Sequence, residues 1–480
     1  MAGIMAPLMF GGLILFMLIG YPVAFSLAGL GLFFGIIGIE MGLFSAALLQ
    51  ALPERIYGIM ANDLLLSIPF FTFMGAILER CGLAEDLLEG LGKLFGPIRG
   101  GLAYAVILVG AVLGAVTGTV AASVIAMGLI SLPAMMRYGY NMRLATGVIA
   151  ASGTITQLIP PALVLIVLAD QLGRSVGDMY AGAIGPSLMQ ILLFCIYIFV
   201  LSILRPKHMP ALPRGEVTES VGALVLRCAK GILPSLALIF LVLGTILMGL
   251  ATPTEGGAMG AVGAMGLAAM QRRLNWSLLY QGMASTMRIT AMVIFILVGS
   301  TVFMLVFRGL DGDRWIEGLL TSLPGGAIGF LVFVNILVFV LAFFLDFFEI
   351  AFIIIPLLGP VAQKLGIDLI WFGVLLGANM QTSFMHPPFG FALFYLRGIA
   401  PPQVKSSDIY WGALPWVGLQ LILVAILIAW PGLVLDFVPK DAPMDPAAIE
   451  MQLPESEAPP PPPDTVDEAP PAPEPPKANP

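Results

Sequence analysis

The polar residues with types suited to chemistry are few, and they interrupt long apolar runs. They are Thr117-Gly118-Thr119, Ser152-Gly153-Thr154 ahead of Pro160-Pro161, Asp346 with Glu349, Asn379 through Ser383, and His386 directly before Pro387-Pro388. Proline lacks an N–H and clashes with the carbonyl four residues earlier, so a Pro-Pro pair within a span breaks the backbone ladder and frees carbonyl oxygens. Freed carbonyls and small hydroxyls can coordinate Na⁺, and half-helix N-termini favour an anionic carboxylate. The chemistry these types suggest is the holding of ions and small anions.

Each of these residues also has a structural reading. Thr117 and Thr119 can bond back to their own helix carbonyls, as Thr does in membrane helices. Asp346 stands between Leu345 and Phe347, where an unpaired carboxylate is costly. It either forms a cation or gating site, caps a helix, or pairs with a base such as Arg308. Glu349, one turn later, shares that role or sits at the interface. His386 can relay protons, bind an anion or pack. Glu255, in Thr252-Pro253-Thr254-Glu255-Gly256-Gly257, reads as a structural turn between spans. His208 lies in a basic loop and is assigned no chemistry.

Other chemistries lack their residues. Cys81, Cys195 and Cys228 show no CxxC or His spacing, so neither a disulfide framework nor a zinc site is implied. The chain has no GxxxxGK[ST] and no HExxH, so energy must come from an ion gradient or a separate subunit.

The elements that must position these residues follow from composition. Of 480 residues, 59% are hydrophobic and 11% charged, with a mean hydropathy of +0.99, too little charge to cover a water-facing surface of this size. The fold class expected is an all-α polytopic membrane protein in a lipid bilayer. The net charge of −7 misleads, because residues 441–480 hold nine acids and one base, leaving +1 on the body. Fourteen of the 38 prolines also lie there, including Pro459 to Pro463, so 439–480 reads as a disordered, solvated acidic extension. Met5 to Ile19 has no preceding basic residue and reads as a retained span.

Charges bracket the spans. Two short ones precede Glu40, hinged at Gly20-Tyr21-Pro22; an amphipathic stretch over 41–62 leads to a span near 64–79. The intervals Arg143 to Asp170, Asp178 to Arg205, Lys230 to Glu255, Glu255 to Arg272, Arg288 to Arg308 and Asp408 to Asp436 each predict one crossing. Arg99 to Arg137, uncharged for 37 residues and bounded by bases, predicts a re-entrant helical hairpin from the cytoplasmic side. Gly329 to Gln363, broken by Asp346 and Glu349, predicts a second hairpin, which alternation opens to the outside. The positive-inside rule places Arg205 to Lys230, Arg272-Arg273 and Arg397 to Lys405 in the cytoplasm, and both termini outside.

An offset of 227 residues superposes the halves: Pro133, Gly139 and Pro160-Pro161 land on Pro360, Gly366 and Pro387-Pro388. Thr119 lands on Asp346, Asn141 on Asp368, Ser152 on Asn379, Thr154 on Gln381 and Thr156 on Ser383. Hairpins opening to opposite sides make these inverted-topology repeats, a hallmark of alternating-access transporters with sites at discontinuous helices near the midplane.

The residues from 1 to 438 resemble the large membrane subunit of tripartite ATP-independent periplasmic (TRAP) transporters, the DctM-like family. The likeness is carried by Ser67-Ile68-Pro69-Phe70-Phe71 through Glu79, Gly114-Ala115-Val116-Thr117-Gly118-Thr119, Gly147 through Thr154 with Ile159-Pro160-Pro161, Ala251 through Glu255, Phe344-Leu345-Asp346, and Asn379 through Gly390. The resemblance implies a Na⁺-coupled, elevator-type importer of organic acids, not an enzyme, in the bacterial inner membrane. Its implied partners are a small four-span membrane subunit and a periplasmic substrate-binding protein, with no nucleic acid. Implied Na⁺ ligands are Thr117, Thr119, Ser152 and Thr154 in one half and Asp346, Asn379 and Ser383 in the other. Substrate is expected between the hairpin tips, against Gly118, Pro160, Pro161, His386, Pro387 and Pro388. The chain departs from the family pattern with Thr-Gly-Thr for Ser-Gly-Ser, Ala162 for Ser, His386 for Thr, and the acidic tail.

The implied division is 1–99 first-half scaffold and amphipathic arm, 100–170 first hairpin and broken helix, 171–327 scaffold and second arm, 328–400 second hairpin and broken helix, 401–438 last span, and the tail. Two rivals are a self-sufficient Na⁺/dicarboxylate or citrate carrier, and an intramembrane enzyme or assembly factor using Asp346 with His386.

Overall fold

Helix ends fall where proline, glycine and capping side chains put them. A computed structural model describes residues 2–117, 119–213, 220–387 and 390–439. Gly118, Pro388 and the tail from residue 440 lie outside the described residues, as does the side chain of Thr117.

In chain order the helices are α1 (Ala2–Ile19), α2 (Val23–Glu40), α3 (Ala47–Gln50), α4 (Leu52–Met60), α5 (Asp63–Arg80), α6 (Leu83–Phe95), α7 (Gly101–Thr117) and α8 (Val120–Arg137). Then come α9 (Met142–Thr154), α10 (Leu163–Leu172), α11 (Val176–Leu204), α12 (Val221–Leu247), α13 (Pro253–Met270), α14 (Trp276–Gly309) and α15 (Gly312–Thr321). The chain closes with α16 (Gly326–Leu341), α17 (Phe347–Ile353), α18 (Ile355–Lys364), α19 (Leu369–Met380), α20 (Phe391–Ile399), α21 (Ser406–Ala429) and α22 (Gly432–Leu435). Short 3₁₀ turns, Ile155–Gln157 and Gln381–Met385, follow α9 and α19.

Among the described residues, five helices are long and apolar enough to cross a membrane, or up to eight if each of three bent pairs is one span. Apolar side chains such as Leu15, Phe33, Phe199, Phe240 and Ile336 point outward, forming the kind of surface that a bilayer covers. The hinge at Gly20 is present with φ +88°. Two helices outrun their charge brackets: α12 begins at Val221, before Lys230, and α14 at Trp276, before Arg288. A charge limits the part of a helix that lipid can cover and does not end the helix, because long basic side chains reach out to water.

The offset of 227 holds across the elements. Thr119 and Asp346 are the extended N-caps of α8 and α17. Asn141 and Asp368 cap α9 and α19 with nearly identical backbone angles, φ −62°, ψ 129° and φ −61°, ψ 128°. Each accepts hydrogen bonds from the N–H groups two and three residues on. Just upstream, Gly139 and Gly366 take φ +76° and +71°, the left-handed region that only glycine enters freely. Across them, Tyr140 donates to the Met135 carbonyl at 2.9 Å and Ile367 to the Ala362 carbonyl at 3.0 Å. The register pairs α5 with α14, α8 with α17–α18, α9 with α19 and α11 with α21.

The halves interlock. The second-half helix α14 packs on α2 and the first-half helix α5 packs on α13. Close approach rests on glycine: a β-carbon on Gly31 would fall 3.0 Å from the Phe303 backbone nitrogen. At the other interface, a β-carbon on Gly257 would fall 3.0 Å from the Cβ of Phe70. Residues 1–438 enclose two apolar cores. Ile159, just before Pro160, and Phe384, two residues before His386, pack against both, so the broken segments lie at the junction between the cores.

Candidate functional site

The first broken segment is made by small residues that let two helices touch. A β-carbon on Gly110 of α7 would fall 2.6 Å from the Cβ of Ser152, and one on Gly114 3.0 Å from the Cα of Thr156. At this distance the hydroxyls turn back on their own helix, which satisfies them without another element. Ser152 donates to the carbonyls of Val148 or Ile149 at 2.8 and 3.0 Å, Thr154 to Ala151 at 2.8 Å, and Thr156 to Gly153 at 2.9 Å. Ser152, Thr154, Thr156, Pro160 and Pro161 are buried. Thr119 caps α8 through its backbone conformation, without a side-chain bond.

The second segment has larger polar groups. Asn379, fully buried on α19, donates through Nδ2 to the backbone and side-chain oxygens of Asn335 on α16, at 2.7 and 2.9 Å. Its Oδ1 has no partner, and neither does Oγ1 of buried Thr382 or Nε2 of buried Gln381. Ser383 lies in the same 3₁₀ turn, 7% exposed.

Asp346 is a helix cap. Its Oδ1 accepts from the Glu349 N–H at 2.8 Å, and its own N–H donates to the Glu349 carboxylate at 2.9 Å. This reciprocal capping box starts α17. Arg308 turns elsewhere and pairs with Asp313 at 3.1 Å. Glu349 is thus the partner of Asp346 in this cap. Glu255 completes a matching box with Thr252 at the start of α13, which gives its turn reading a physical form.

His386 is 1% exposed and set among aromatic rings, stacked on Phe343 at 4.1 Å and edge-on to Phe339 at 4.5 Å. The Ala342 backbone is near it, but neither ring nitrogen makes a hydrogen bond of ordinary geometry. With Pro387, Tyr410 and Trp411 it lines a cavity of about 290 Å³. Among the described residues no hydrogen bond joins His386 to Asp346, and no group of three His, Cys, Asp or Glu side chains could hold a metal.

Three amides were absent from the expected set. Asn335, Gln190 and Gln420 are single amides inside apolar helices, and that signal was available in the sequence. Gln190 donates to Gln381 Oε1 at 2.9 Å and Gln420 to Thr154 Oγ1 at 2.9 Å.

The fold is all-helical, with several helices apolar and long enough to cross a membrane and with buried polar breaks between them. In fold the chain is similar to the YdaH transporter of Alcanivorax borkumensis, a crystal structure with TM-score 0.56 and 16% identity, covering 82% of this chain and 90% of that one. The family model described as "Tripartite ATP-independent periplasmic transporter, DctM component" matches residues 10–433, so the chain belongs to the DctM family of TRAP transporter large permeases. It is 30% identical over 394 residues to the C4-dicarboxylate TRAP transporter large permease protein DctM of Pseudomonas aeruginosa, covering 82% of this chain and 90% of that protein. It is also 27% identical over 416 residues to the sialic acid TRAP transporter large permease protein SiaM of Vibrio cholerae, covering 86% and 93%.

Proposed function

We propose that this chain is the membrane subunit that imports an organic acid by coupling its entry to a Na⁺ gradient. The observation that carries this reading is the pair of repeat-related helix breaks at the junction of two cores, lined by buried oxygens. At the second break Asn379 Oδ1 and Thr382 Oγ1 have no partner; such oxygens are costly to leave unpaired in a low-dielectric interior, and a cation offsets that cost. Thr117, Thr119, Ser152 and Thr154 hold one Na⁺, and Asp346, Asn379 and Ser383 hold the other. A carboxylate binds between the tips, against Gly118, Pro160, Pro161, His386, Pro387 and Pro388. Similarity to relatives named for C4-dicarboxylates and sialic acid supports an acid substrate.

In this reading α7–α8 and α16–α18 are re-entrant hairpins of opposite orientation. Residues of roughly 100–170 and 328–400 form the transport domain. They slide as an elevator against a scaffold of the other spans in the bacterial inner membrane. A periplasmic binding protein delivers the substrate and a small four-span subunit supports the scaffold. The test is uptake into proteoliposomes with both partner proteins present. Uptake should require inward Na⁺; equal uptake when choline replaces Na⁺ sinks the coupling.

A further inference from the structure

Thr154 and Gln381 are repeat equivalents, and each receives a hydrogen bond from a glutamine on a helix of the opposite half. Gln420 of α21 donates to Thr154 Oγ1 at 2.9 Å, and Gln190 of α11 donates to Gln381 Oε1 at 2.9 Å. The helices α11 and α21 are themselves equivalents in the 227-residue register, and the two donors lie about one helical turn apart in it, Gln190 falling on Val417. Gln420 and Thr154 are fully buried, and Gln190 and Gln381 are 1% exposed. Each bond lands where α9 or α19 gives way to a 3₁₀ turn.

The geometry assigns Gln190 and Gln420 as positioning residues that fix the oxygens of the two broken segments from outside them. The proposal rests on the Na⁺-coupled reading and deepens it. A hydroxyl or amide oxygen has two lone pairs. The Thr154 proton is spent on the Ala151 carbonyl at 2.8 Å, and the glutamine N–H occupies one lone pair. The other is left in a fixed direction for a cation, since a partner behind a ligand sets its orientation. Gln381 Oε1, in the same 3₁₀ turn as Ser383, is held in the same way, and the proposal adds it to the second Na⁺ set. The Oε1 atoms of Gln190 and Gln420 are themselves buried without a partner, as is Gln381 Nε2. Unmet polar capacity at both segments is what a site that takes up a further ligand leaves open.

Gln190→Leu and Gln420→Leu, with Gln190→Met and Gln420→Met as gentler forms, test this in the complete three-protein system. Each folded single variant should raise the half-saturating Na⁺ concentration by about tenfold, as expected for one buried hydrogen bond left unmade. Turnover at saturating Na⁺ should stay within about twofold, because only ground-state ion binding is lost. The double variant should multiply the two shifts, the bonds sharing no residue. Unchanged Na⁺ half-saturation in a folded variant, or turnover lost with no shift in it, overturns the proposal. Failure of both forms of a glutamine to fold also overturns it, by assigning that residue to folding alone. Wild-type uptake indifferent to Na⁺ would instead refute the coupling itself, so the two failures are distinguishable.

Discussion

The α7–α9 junction and the α16–α19 junction occupy equivalent places in the two halves and are built by opposite means. In the first, glycines bring the backbones together and every hydroxyl of Ser152, Thr154 and Thr156 returns to its own helix. In the second, Asn335 and Asn379 bridge the helices through amides and leave Asn379 Oδ1 and Thr382 Oγ1 buried without partners. The same contrast holds at the N-caps of α8 and α17, where Thr119 makes no side-chain cap and Asp346 makes one with Glu349. A repeat thus preserves backbone breaks while allowing the polar chemistry to diverge. The second half carries the carboxyls and the unpaired Asn379 Oδ1 and Thr382 Oγ1, and the first half carries the close packing.

The strongest test exchanges the packing. Gly110→Leu copies Leu337, the residue at the equivalent position of the second half, into a space where even a β-carbon meets Ser152. Seating α7 on α9 should fail, with no folded protein on size-exclusion chromatography; a monodisperse, active variant would remove the contrast. Next in size, Asn379→Ala should cost about 1–3 kcal/mol by stripping a buried donor from Asn335. Ser152→Ala, which loses only a bond within its own helix, should cost under about 1 kcal/mol. Equal falls in melting temperature would show that the two junctions are energetically alike.

Charge and cap at Asp346 can then be separated. Asn caps a helix as well as Asp, so Asp346→Asn should melt near wild type while its Na⁺ half-saturation rises about tenfold. Asp346→Ala should in addition lose about 1 kcal/mol of stability. An Asn variant with wild-type Na⁺ response confines Asp346 to capping.

The smallest effect is expected at the exposed counterpart of that box, Thr252 with Glu255. Hydrogen bonds from the Thr252 backbone N–H and then its hydroxyl hold the Glu255 carboxyl below the usual range. A carboxyl lowered in this way stabilises the helix start above its unfolded pKa, and the effect fades as pH falls through the lower folded value. Protection of the first turn of α13 from hydrogen exchange, taken relative to the intrinsic rate at each pH, should therefore fall on acidification. Thr252→Ala should flatten that response, and an unaltered pH profile would exclude the box as its source.

Much of the architecture was legible because its causes are local. Apolar run length locates helices, glycine at Gly139 and Gly366 marks their ends, and the register of 227 needs only the chain itself. Asn141 and Asp368 are readable as caps for the same reason, since a cap bonds within three residues. The roles of Asp346 and Arg308 were not legible, because a carboxylate and a guanidinium each had several partners in reach along the chain. Only the folded chain decided that Asp346 takes Glu349 and Arg308 takes Asp313. The sequence by itself determined where the helices break and that the breaks repeat. Which buried atoms remain unpaired there was decided by the tertiary structure, because the partners come from far away. Gln190 reaches Gln381 across 191 residues and Gln420 reaches Thr154 across 266, contacts that no local rule of spacing specifies.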